Sequence, residues 1–177
     1  LLAEKYPTEI AEILAKYPPE RKRSAVMPLL YLAIREYGYV TDASLAEVAG
    51  LCGIEPTQVA GVAGFYSLYH QHAPGNDNHP CHEYLQICTD LPCALRGADE
   101  FAKQALAELG VKWDETTADG LFTPEHVMCL AACHRAPMMQ VQNRAGIFYQ
   151  ENLTLEAFQA YLAAVRAKAA QSAAKKA

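Results

Sequence analysis

The sequence predicts a mixed α/β chain in which a bundle of short helices over residues 1–75 precedes a small α/β sandwich over residues 76–177. Three observations predict it. Apolar residues in the first part recur at helical spacing, between repeated helix start and stop signals. The stretch HQHAPGNDNHPCH at 70–82 is rich in Pro, Gly, Asn and Asp, lacks periodicity and reads as a linker. Beyond it, short β-rich runs and two helical patterns follow in the order β-α-β-β-β-α, and two close pairs of cysteines stand at the ends of those runs.

Thr8 is expected to cap a first helix whose stripe is Ile10, Ile13, Leu14 and Tyr17, ended by Pro18 and Pro19. Ser24 caps a second helix or lies in its first turn. Its residues Val26, Met27, Leu29, Leu30, Leu32 and Ile34 cover more than one side, which makes it the centre of the bundle. Pro28 is tolerable there only in the first turn or at a kink, and Gly38 stops the helix. Thr41 or Asp42 caps a third helix with Leu45, Val48, Ala49 and Leu51 inward, closed by Gly53. Pro56 occupies a first helical position and opens a fourth helix through Val59, Val62 and Phe65.

In the second part, Tyr84–Ile87 reads as a buried strand ending at Cys88. After the turn Asp90-Leu91-Pro92, one helix is expected from Cys93 to Leu109, with Leu95, Phe101, Ala105, Leu106 and Leu109 inward and Gly110 as its stop. Gly97 inside that helix suggests close approach of another backbone. Residues 114–124 are turn-rich. His126–Met128 is a short strand delivering Cys129, and 138–141 and 146–149 form a hairpin about Asn143-Arg144-Ala145. Thr154 caps a last helix carrying Leu155, Phe158, Tyr161, Leu162 and Val165, and the Ala/Lys-rich tail after Ala167 is expected to fray.

With 15 basic against 20 acidic residues the net charge is −5, so no concentrated basic face for nucleic acid is expected. The two short helices joined by LCGIEP are accordingly read as bundle helices rather than a DNA-reading helix-turn-helix. No apolar run approaches the ~20 residues of a membrane span, so no membrane insertion is expected. The chain opens Leu1-Leu2 with no basic–apolar signal peptide, and the expectation is a reducing compartment.

The chemistry concentrates in Cys88 and Cys93, within CTDLPC, and Cys129 and Cys133, within CLAAC. Four thiols in two pairs point to a metal centre built from two loops of one domain. The spacings, four residues in the first pair and three in the second, suit iron–sulfur ligation better than structural zinc, which mostly uses two. Plant-type ferredoxins also begin C-x4-C, but their next cysteine comes two residues later. A thiol–disulfide enzyme needs C-x-x-C, and a Rieske centre needs two histidine ligands; His134 directly after Cys133 is the wrong pattern. A four-thiolate [2Fe-2S] cluster requires backbone N–H donors near its sulfurs and a dry surround, for which Leu91, Leu130, Ala131 and Ala132 are the candidates. Arg96, His134 and Arg135 are the nearby charges. The linker's His70, His72, His79, Cys81 and His82 could ligate a metal, but a solvated polar loop is preferred; Cys81 reads as a free thiol and Cys52 as a core residue. No dinucleotide, phosphate-loop or Ser/His/Asp motif accompanies the thiols. A cluster without a substrate site passes single electrons to or from a partner.

These residues carry a family resemblance. C-x4-C with Leu95-Arg96-Gly97-Ala98 behind it, then CLAAC followed by Ala136-Pro137-Met138, resembles the 24-kDa-type [2Fe-2S] subunit of NADH:quinone oxidoreductase, respiratory complex I. RSAVMPLLYLA, GFYSLY, ETTADGLF and ENLT resemble it too, so the likeness covers nearly the whole chain. The resemblance implies an N-terminal helical bundle, 1–75, that docks a partner and a thioredoxin-like ferredoxin domain, 76–177. It implies Cys88, Cys93, Cys129 and Cys133 as ligands, the first pair on one iron and the second on the other. The implied partner is a flavoprotein subunit holding FMN and NADH, with this cluster near the flavin but off the main electron route, storing one electron or stabilising the assembly. The chain would then be a subunit of an enzyme without a complete catalytic site of its own, in the cytoplasm on the peripheral arm of an inner-membrane complex, or on the mitochondrial matrix side after loss of a targeting peptide. The same module occurs in NAD-linked hydrogenases and formate dehydrogenases, and a zinc-stapled interaction module is the reading from another class. The family usually has glycine at Ala131 and often glutamate at Met128. Ala131 is therefore expected to press on its loop, and loss of the acid to raise the potential slightly.

Overall fold

The computed structural model describes residues 1–73, 79 and 82–174. The chain divides into two compact units, Leu1–Ala73 and Pro74–Ala177. The first is all helical: α1 (Leu2–Lys5), α2 (Pro7–Ala15), α3 (Val26–Tyr37), α4 (Asp42–Cys52) and α5 (Pro56–Phe65). As its apolar residues require, α3 is central, with Val26, Leu29, Leu30, Leu32, Ala33 and Ile34 all buried and the other four helices packed on it. Pro28 is in its first turn, where a missing N–H costs nothing, and left-handed Gly38 closes it.

Local capping explains the boundaries. The Thr41 hydroxyl accepts the Ser44 N–H at 3.0 Å, and the Ser44 hydroxyl in turn accepts the Thr41 N–H at 2.9 Å, a reciprocal cap on α4. Pro56 starts α5 as expected. Thr8 does not cap α2, because Pro7, which lacks the N–H a cap would satisfy, takes the first helical position one residue earlier. Nor does Ser24 cap α3: a tight 3₁₀ segment, Pro19–Ala25, runs directly into it. Cys52 is a core residue, as expected.

The second unit contains β1 (Glu83–Cys88), α6 (Leu91–Ala94), α7 (Ala98–Leu109), β2 (Phe122–Val127), β3 (Met139–Asn143), β4 (Gly146–Gln150) and α8 (Leu155–Ala174). The four strands lie in the order β2-β1-β3-β4. β1 pairs parallel with β2, and β3 is antiparallel to both β1 and β4. One face of the sheet carries Leu85, Ile87, Met139 and Val141, against which α7 and α8 pack through Phe101, Ala105, Phe158 and Leu162. The other carries Tyr84, Gln86, Gln140 and Gln142, also buried, with the Gln140 amide donating to Gln86 and the Gln86 amide donating to Glu125.

Three expectations fail here for identifiable reasons. β2 begins four residues before His126, despite Pro124, because it is an edge strand whose outer side needs no ladder donor. The Thr117–Asp119–Leu121 hydrogen bonds finish the turn just before it. The single helix expected from Cys93 to Leu109 is two helices, since Gly97 adopts φ +91, a left-handed break that suits glycine. No atom lies within 4 Å of where its Cβ would stand, so backbone geometry rather than close approach calls for glycine. Finally, α8 continues to Ala174 instead of fraying after Ala167. Alanine is the strongest helix former, and Ala169 extends the buried stripe of Phe158, Leu162 and Val165. Residues 175–177 of that tail, and linker residues 74–78, 80 and 81, lie outside the described residues.

Candidate metal centre

Parallel pairing sets Cys88, the last residue of β1, opposite Val127, the last residue of β2, so both cysteine loops leave from one end of the sheet. The Asp90 carboxylate accepts the Leu91 N–H at 2.9 Å and starts α6, whose third residue is Cys93. Cys88 and Cys93 are fully buried, and they pack with Ala98 and Ala136, Val127, Leu130 and Cys133 closing around them. Burial first, then hydrogen bonding with Cys88 and Cys133, pushes the Cys93 thiol up to about 12. Three of the four thiols therefore meet. Cys133, in a short 3₁₀ turn, is half-buried, whereas Cys129 is exposed.

The two loops are tied together and to the sheet. Thr89 Oγ1 bonds His126 Nε2, linking the residue after Cys88 to β2. Arg96 Nε donates to the Ala136 carbonyl at 3.3 Å. Behind the second pair, the N–H groups of Asn152 and Leu153 donate to the carbonyls of Arg135 (2.7 Å) and Pro137 (2.8 Å). The expected amide donor to sulfur exists: the Ala131 N–H points at Cys129 Sγ, 3.3 Å away. Ala131 has φ +59, a left-handed conformation costing roughly 1–2 kcal/mol with a Cβ, which gives a physical reason for glycine at this position. Arg135 forms an ion pair with Glu151 at 2.6 Å, and its Nε donates to His134 Nε2 at 3.2 Å.

The apolar cover differs from the expected one. Leu91 is 69% exposed, because two residues along a helix place it about 200° from inward-facing Cys93. Ala131 is exposed as well; Leu130 and buried Ala132 stay. Ala98 and Ala136 supply walls that the sequence did not flag, and small residues next to a thiol pair were the available signal. Leu91, Leu95 (80% exposed) and Met128 (63%), each within two residues of a cysteine of the two pairs, instead face outward.

Among the described residues, no three or more His, Cys, Asp or Glu side chains form a group that could hold a metal ion as they stand. The linker histidines are not one: buried His82 uses Nδ1 on the Gly120 carbonyl (2.9 Å) and Nε2 on Thr123 Oγ1 (3.2 Å), the role of a structural histidine rather than a solvated one. Cys81 lies outside the described residues. The four thiols suit a centre shared between two loops: soft donors, apolar walls on the buried side, and an amide aimed at the sulfur of exposed Cys129.

A family model described as thioredoxin-like [2Fe-2S] ferredoxin matches residues 10–166. NADH-quinone oxidoreductase subunit 2 of Thermus thermophilus is 42% identical over 158 residues, covering 89% of this chain and 82% of that protein. An NADH-quinone oxidoreductase subunit from Rhizobium meliloti is 38% identical, with 90% and 88% covered. The mitochondrial NADH dehydrogenase [ubiquinone] flavoprotein 2 of Dictyostelium discoideum is 38% identical over 81% of this chain and 55% of its own length. Among solved structures, an NAD+-reducing [NiFe]-hydrogenase in the air-oxidized state aligns with a TM-score of 0.56 at 16% identity, over 71% of this chain and 20% of that one, a likeness of fold.

Proposed function

This chain belongs to the thioredoxin-like [2Fe-2S] ferredoxin family, and on that premise we propose that Cys88, Cys93, Cys129 and Cys133 hold its cluster, the first pair on one iron and the second on the other. The chain is the [2Fe-2S] electron-transfer subunit of an NADH:quinone oxidoreductase, one part of a multi-subunit oxidoreductase. The observation that carries the ligand assignment is the meeting of Cys88, Cys93 and Cys133 where two parallel strands end.

When bound, the cluster supplies a one-electron carrier. The chain's own residues exclude water on the side of Ala98, Ala136 and Val127, hold the first pair rigidly between β1 and α6, and carry the second pair on a braced loop. Because the buried Cys93 thiol resists ionisation, uptake of metal at neutral pH releases its proton. A [2Fe-2S]-loaded chain should contain about two irons and two sulfides and give a spin-half EPR signal only when reduced. A colourless protein retaining zinc would defeat the assignment.

The electron donor we propose is the FMN of an NADH-binding flavoprotein subunit of the same complex, seated against Leu91, Leu95 and Met128. Their exposure beside the thiols supports this reading. The helical unit offers a further docking face with exposed Met27, Phe65 and Tyr66. No helix among the described residues is long and apolar enough to cross a membrane, in keeping with a place in the peripheral arm. Leu95→Asp, which puts a charge into that contact, is expected to weaken co-purification with the flavoprotein subunit at least tenfold, about 1.4 kcal/mol, with iron content unchanged. Equal recovery of the pair would move the interface elsewhere.

Arg135 favours the more negative, reduced cluster, so Arg135→Gln is expected to lower the midpoint potential. Glu151 strengthens the effect, since its carboxylate then loses its partner. Both side chains are partly exposed, which keeps the change below the 59 mV of a tenfold preference. An unchanged or raised potential in protein-film voltammetry rejects the role.

A further inference from the structure

The peptide between Leu130 and Ala131 is held at both ends. Its N–H, from Ala131, points at Cys129 Sγ at 3.3 Å. Its carbonyl, from Leu130, accepts the Tyr149 hydroxyl at 2.9 Å. In a trans peptide these two groups point in opposite directions, so anchoring the oxygen on one side fixes the N–H on the other. The anchor is itself fixed: Tyr149 lies in β4, paired with Gln140 of β3, which is paired with Gln86 of β1. Alternation along the strands puts Tyr149, Gln140, Gln86 and Cys88 on one sheet face. The strand that ends in the first ligand thus braces, two strands away, the loop of the second pair.

We propose that Tyr149 is a positioning residue for the cluster, its hydroxyl locking the Leu130–Ala131 peptide so that the Ala131 N–H faces the Cys129 sulfur. The inference rests on Cys129 being a ligand. Left-handed Ala131 makes the lock necessary, because a residue with a Cβ is held there against its own preference. Without the hydroxyl, the 130–131 peptide is free to turn, and the alternative plane presents its carbonyl dipole, not its N–H, to the sulfur. An N–H donor next to a thiolate favours the state with the extra electron, and a carbonyl opposes it.

Tyr149→Phe keeps the ring and removes only the hydroxyl. In the full-length, cluster-loaded chain it is expected to lower the midpoint potential by the equivalent of a three- to tenfold loss in preference for the reduced form, at most about 59 mV. Resonance Raman should show the terminal Fe–S stretches shifted upward, with the response to H/D exchange diminished. Iron content and the thermal unfolding midpoint serve as controls that the fold and cluster persist. A potential and Raman spectrum matching the unsubstituted protein overturn the inference while leaving the cluster assignment standing. An unsubstituted chain that takes up no iron overturns both.

Discussion

Cys93→Ala is expected to abolish cluster retention while the domain stays folded. The side chain is fully buried and packs with Cys88 and Cys133, so its loss removes a thiol from the middle of the buried cluster. Alanine fills most of the volume between Ala98 and Ala136, and the far-ultraviolet circular dichroism should be unchanged. Iron should fall below about a tenth of the unsubstituted level, because a four-thiolate cluster then lacks one of its ligands. Cys129→Ala makes the same point from the exposed side: it removes no core contact, yet should cost the cluster as completely. Cys52→Ser, in the other unit, should keep it. A Cys93→Ala protein with its full iron complement would remove Cys93 from the ligand set.

Phe158→Ala is expected to destabilise the ferredoxin unit by about 3–5 kcal/mol, the range for truncating a fully buried aromatic. Phe158 has no exposed surface, meets Phe101 edge-on with ring centres 5.7 Å apart, and joins α8 to α7 over the sheet face of Leu85, Ile87, Met139 and Val141. Such a loss is a large share of the roughly 5–15 kcal/mol that holds a typical domain folded. Urea denaturation of the metal-free chain, followed by the fluorescence of Trp113 in the same unit, provides the measurement. A change under about 1 kcal/mol would show that the α8 contact is not central to the fold.

What the sequence discloses divides along the range of the interactions. The cysteine pairs, the Thr41 cap and Pro56 at its helix start depend on neighbours a few residues apart, and a reader of the chain can see them. The Gly97 break is hidden because a glycine in a helical pattern looks the same whether it is tolerated or left-handed. Pro124 belongs to a turn-rich stretch of sequence, and only the strand order, with β2 at an edge, makes it compatible with a strand. The ring bonds of His82 to Gly120 and Thr123 span about forty positions, which no local pattern records. The thiols are legible as a set; their inequality, two buried on a strand and helix and one on an exposed loop, belongs to the tertiary structure. So does the role of Tyr149, which in sequence is only one member of an alternating strand.

The register between β1 and β2 has a consequence for folding. Cys88 and the approach to Cys129 are brought side by side only when two parallel strands, separated in sequence by a crossover containing α6 and α7, have paired. Parallel pairing across such a crossover is a late event, since its loop must close before any contact rewards it. An unpaired chain consequently keeps its two thiol pairs apart until β1 and β2 have joined. Assembly of the thiols is in this way timed by topology: the two pairs come together only in a chain whose sheet has formed.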